Sequence, residues 1–87
     1  MSVDFNWRSD EYSRYLVGTV VNESDRVIHD VAVKFTLTDE DRNLVGDTTD
    51  YVDSIEPGQT WSFESYVTED RASYARLSEV KGRAYEY

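Results

Sequence analysis

The feature that most constrains this chain is the alternation in residues 27–38. Val31, Val33, Phe35 and Leu37 share one parity, and Ala32, Lys34, Thr36 and Thr38 the other. Side chains along a strand point to opposite faces in turn, so this run has one apolar face to bury and one polar face to wet. Residues 60–68 repeat the pattern, with Trp61, Phe63 and Val67 on the parity expected to face inward. No comparable run follows a helical period. The β-branched and aromatic residues fall in short runs parted by turn residues at intervals of about 8–12, as in all-β sandwiches and barrels.

The segments follow from that spacing. Residues 3–7 alternate and predict a short first strand, with a polar turn over Arg8, Ser9, Asp10 and Glu11. Residues 12–22 form the second run. Its interior Gly18 lacks a side chain to pack and predicts a close approach of another backbone, or a gap that receives an aromatic ring. A turn at residues 22–25 leads into the third strand, and residues 39–43 form the next turn. The following strand is expected to break near Gly46, leave a loop over residues 47–50, and resume at 51–55. Pro57-Gly58 suits a type II turn, since Pro presets φ at the first central position and Gly accepts φ > 0 at the second. Residues 69–73 are the one place for a helical turn, before a last strand over 77–87. The expected fold is all-β, about seven strands in two packed antiparallel sheets, forming one domain over residues 1–87. Its expected core is Leu16, Val20, Val31, Val33, Phe35, Leu37, Ile55, Trp61, Phe63 and Val80.

Charge and composition exclude several functions. Eighteen acids against nine bases give a net charge of −9, which opposes phosphate neutralisation and argues against nucleic acid or anionic membrane as a partner. With no Cys and a single His, thiol chemistry, disulfides and Cys/His zinc sites lack their residues. No cofactor is expected. Only Lys34 and Lys81 are lysines. Acidity joined to lysine scarcity reads as adaptation to molar salt, where a Debye length of about 3 Å relieves surface self-repulsion. No stretch approaches the roughly 18 apolar residues of a membrane helix, and the N-terminus lacks a signal-peptide pattern. A chain complete as given is expected in the cytoplasm; a domain excised from a longer exported protein belongs to the envelope or outside.

Three segments, in order, resemble a known family. Phe35-Thr36-Leu37-Thr38-Asp39 is similar to the FxLYD signature, with Thr38 in the place of its Tyr. Gly18-Thr19-Val20-Val21-Asn22 resembles that family's Gly-x-Val-x-Asn segment, and Pro57-Gly58-Gln59-Thr60 with Phe63 its Pro-Gly-Gln-Thr-x-x-Phe segment. The resemblance implies a small immunoglobulin-like β-sandwich, a module without assigned catalytic residues, found on exported or anchored proteins of bacteria and archaea, halophiles among them. Function does not follow from such a fold.

The residues that carry chemistry are few. Asp39, Asp41, Asn43 and Asp47, with Asp50 at the twelfth place, match the oxygen spacing of a calcium loop. Leu44 occupies the sixth place, where an EF-hand needs Gly, and both flanks read as strands, so the candidate is a weak oxygen-only cation site in a hairpin. His29 and Asp30 are adjacent in a strand and point to opposite faces, so they do not serve one triad. Tyr12, Tyr15, Tyr51, Tyr66, Tyr85 and Tyr87 are the exposed aromatics that a carbohydrate-binding reading would use. Asn22-Glu23-Ser24 is an N-glycosylation acceptor pattern in a predicted turn. Tyr85-Glu86-Tyr87 is a candidate edge strand, open to another chain or guarded by Glu86. These readings favour a non-enzymatic binding or structural module with a protein partner, working in high salt. The alternative is a recognition domain for a cation or a carbohydrate, using the loop over 39–50 or the tyrosines.

Overall fold

The computed structural model describes residues 1–84. Among them the chain forms six strands and no helix: β1 (Ser2–Ser9), β2 (Arg14–Val21), β3 (Ile28–Thr38), β4 (Leu44–Ile55), β5 (Thr60–Val67) and β6 (Tyr74–Ala84). They make two antiparallel three-stranded sheets, ordered β1-β2-β5 and β4-β3-β6. The inward parity of β3 is as the alternation requires, with Val31, Val33, Phe35 and Leu37 all at most 1% exposed. Opposite them, β2 and β5 bury Leu16, Val20, Phe63 and Val67. The ring centroids of Phe35 and Phe63, one from each sheet, lie 5.7 Å apart. Two expected core residues, Trp61 and Val80, are only half-buried and pack against this cluster from its margin.

Three expectations are corrected. The seven expected strands become six among the described residues, because β4 runs unbroken through Gly46 and residues 47–50. Each residue of that stretch pairs with β3 between Val33 and Leu37, and a register shift beside Leu37 and Thr38 absorbs the irregularity. Residues 69–73 form a turn closed by Ala72 N–H on Glu69 O at 3.1 Å, and β6 starts at Tyr74 rather than 77. The Pro57-Gly58 turn has the expected form, with Gly58 at φ 76° and Gln59 N–H donating to Glu56 O at 3.0 Å. The proposed edge strand at Tyr85-Glu86-Tyr87 lies outside the described residues, as do two of the tyrosines offered for sugar binding.

The two long sides of the sheet pair differ. Along one, β4 and β5 are tied by side chains. Thr48 Oγ1 donates to Tyr66 O at 2.6 Å and lies 2.6 Å from Ser65 Oγ, and Glu64 N–H donates to Asp50 Oδ2 at 3.2 Å. Unpaired backbone on a sheet edge invites association, and here β4 covers the edge of β5. On the other side the end strands are β1 and β6, each hydrogen-bonded to one neighbour among the described strands.

Candidate functional site

The Asp-rich turn spends its oxygens on the backbone. Asp39 Oδ1 accepts from Asp41 N–H and Asn43 N–H, both at 2.9 Å, and Asp39 Oδ2 faces Asn43 Nδ2 at 3.3 Å. The Asn43 N–H bond, helped by the Asn43 amide and the Asp41 N–H, holds the Asp39 carboxyl below its ordinary range. Asp47 stands on β4, 3.9 Å from Lys34 Nζ, and Asp50 is taken up by Tyr51 and Glu64 N–H groups. Among the described residues no group of three acidic or histidine side chains converges to hold a metal ion.

Asn22 is fully buried. Its Nδ2 donates to Arg26 O at 2.7 Å and Ile55 O at 2.8 Å, and its Oδ1 accepts from Ser24 N–H and Ser24 Oγ. Both amide hydrogens are therefore committed inside the fold. The acceptor pattern at Asn22 marks a buried peg joining the turn after β2 to the end of β4, a geometry opposed to glycan attachment.

The tyrosines do not form one platform. Tyr15 is half-buried, contrary to expectation, and leans on Tyr66 at 4.8 Å on the outer face of β1-β2-β5. Its hydroxyl donates to Asp10 Oδ2 at 2.8 Å. With the N–H groups of Tyr12 and Ser13, that bond lowers the Asp10 carboxyl below its ordinary range. Tyr12 is 88% exposed on the turn before β2, while Tyr51 and Tyr74 stand on the other sheet. His29 pairs in register with Ser54 and Arg83, and Asp30 adopts φ 54°, where the pairing with β6 slips.

What the structure does bring together is charge. Across the outer face of β4-β3-β6 the register places Tyr51, Ala32 and Lys81 in one row; Thr49, Lys34 and Glu79 in the next; and Asp47, Thr36 and Arg76 in a third. Arg83 follows along β6, and Arg42 stacks on the Tyr74 ring, its Cζ 3.9 Å from the centroid. Five of the nine bases, both lysines included, thus gather on one face, with Asp30, Asp47, Asp53 and Glu79 as its acids. The rest of the chain has four bases against fourteen acids. Depressions on this face include one of about 610 Å³ beside Asp30, Tyr51, Lys81 and Arg83, one of about 310 Å³ beside Thr36, Arg42 and Tyr74, and one of about 210 Å³ beside Ala32 and Lys34. All three are open to solvent, without the enclosure of a typical small-molecule site.

The pairings on this face are loose. Lys34–Asp47, Lys81–Glu79 and Arg83–Asp30 stand at 3.9, 3.7 and 4.0 Å, beyond hydrogen-bond reach, between exposed side chains. Sequence reading missed this grouping because it needs the register of β3 with β6, strands far apart in the chain. No family model, curated protein or solved structure matches this chain.

Proposed function

We propose that this chain is a non-enzymatic binding module of immunoglobulin-like build, similar to FxLYD domains and adapted to high salt, that recognises a protein partner through its strands. The sheet orders β1-β2-β5 and β4-β3-β6 support the immunoglobulin-like reading, with β4 beside β3 where such a sandwich places a C′ strand rather than beside β5 where a D strand lies. The observation that carries the binding reading is the gathering of bases on β4-β3-β6 in a chain of net charge −9. The groups that offered chemistry from sequence support it differently. Asp39 and Asn22 are occupied by structural hydrogen bonds, and the exposed cations are left to meet a partner.

Titration with Ca²⁺ and with oligosaccharides in molar KCl tests this reading. Backbone amide signals are expected to stay in place. A saturable shift over residues 39–50, or around Tyr15 and Tyr66, would replace protein recognition with ligand recognition. Salt adaptation has its own test. Fourteen acids against four bases in the rest of the chain repel one another in dilute buffer. Raising KCl from 0.1 to 2 M is expected to stabilise the fold by about 1–2 kcal/mol, a rise in Tm of roughly 5–15 °C followed by circular dichroism. Equal melting in both buffers would remove the physical basis of the salt reading.

A further inference from the structure

We propose that the free edge of β6 takes up an extended segment of a partner protein, alternating acidic and apolar residues, as an added strand. This rests on the binding-module reading above and names its partner's chemistry. Among the described strands β6 pairs with β3 alone, so one edge of Tyr74–Ala84 presents backbone donors and acceptors that no strand satisfies. The two faces flanking that edge differ in kind. Outward stand Arg76, Glu79, Lys81 and Arg83. Inward stand Leu77 and Val80, half-buried, which like Val3 and Trp7 of β1 pack against the core. Phe5 is 37% exposed although its ring lies 4.8 Å from that of the buried Phe35. Among the described residues no side-chain hydrogen bond joins β1 to β6 across this apolar margin, whereas β4 and β5 are clasped on the opposite side.

An added strand alternates its side chains between these faces. Its outward residues fall within about 4.5–5.5 Å of Arg76, Lys81 and Arg83, where opposite charges stabilise and like charges repel. Arg76 has no carboxylate within 4.0 Å among the described residues, and Lys81 and Arg83 hold theirs at 3.7 and 4.0 Å. These cations exchange partners at little cost. Acidic residues thus suit the outward positions and apolar residues the inward ones. A second copy is a poor occupant, because β6 against β6 sets a strand with three cations beside the same strand. Molar salt leaves this mode in place, since a ladder of backbone hydrogen bonds and buried apolar contact persist when long-range fields are screened.

The test is a titration of the isotopically labelled protein in molar KCl with a synthetic peptide as long as β6, alternating glutamate with valine or threonine. Peptides with glutamine or lysine in place of glutamate, and a thymidine oligonucleotide, are titrated in parallel. The acidic peptide is expected to shift the amides of β6 and slow their hydrogen exchange. Joint Lys81→Glu and Arg83→Glu substitution is expected to weaken it roughly tenfold without lowering Tm. Equal binding of the glutamine peptide at β6, or tighter binding of the oligonucleotide there, would overturn the acidic partner and leave the edge as a binding surface. Shifts confined to β1-β2-β5 would overturn the assignment to β6. No saturable shift on β4-β3-β6 with any probe would overturn the binding-module reading as well.

Discussion

Replacing Asn22 with alanine is expected to destabilise the fold by about 3 kcal/mol, read as a lower urea midpoint with an unchanged slope. Four side-chain hydrogen bonds disappear at once. The carbonyls of Arg26 and Ile55 lose their donor, and Ser24 loses its acceptor. The site is fully buried, so water does not replace them without opening the turn. The Asn22 backbone also joins the next turn, with Asn22 N–H donating to Gln59 O at 3.1 Å and Gly58 N–H to Asn22 O at 2.8 Å. Asn22→Asp is the sharper test. It keeps the shape but sets a carboxylate against two carbonyl oxygens, so it is expected to unfold the protein at pH 7 and recover partly in acid, where a protonated carboxyl donates one bond. A neutral outcome for both variants would mean that Asn22 is an ordinary exposed turn residue, which is how its sequence context reads.

That difference shows where sequence reading reaches its limit. Period two gave the inner face of β3 residue by residue, because eight consecutive side chains alternate without interruption. On β6 period two alone would mislead, because a register shift leaves Ser78 without a register partner in β3: Lys34 pairs with Glu79, but the next residue, Phe35, pairs with Leu77. Strict parity from Lys81 and Glu79 would turn Leu77 outward and Arg76 inward. The slip reverses them, and with them the cationic row on the outer face. The Asp39 turn was legible as a turn from its residues, but whether its oxygens faced solvent or backbone depended on the approach of the Asn43 N–H. Asn22 looked local because Ser24 and Arg26 are near it in sequence; its bond to Ile55 O spans 33 residues.

Gly18→Ala is expected to cost a further large share of stability, about 2–4 kcal/mol by urea titration, because the collision is with backbone. Gly18 pairs with Phe5 on one side and Phe63 on the other. A Cβ there would lie 1.9 Å from Asp4 O and 2.8 Å from Phe5 Cα, so β1 would have to move away from β2. Movement of β1 carries with it Val3 and Trp7, which pack against the core, and Phe5, whose ring meets that of Phe35. The expectation from sequence that another backbone approaches Gly18 is met. Gly46→Ala is the control. Nothing lies within 4 Å of its added Cβ. A change of no more than about 1 kcal/mol is expected there. If the two variants change stability equally, a collision with β1 is not what Gly18 avoids. If Gly18→Ala alone releases β1, hydrogen exchange should rise along Ser2–Ser9 while the ladder between β3 and β6 stays protected. That outcome would separate the strand that closes the core from the strand proposed to receive a partner.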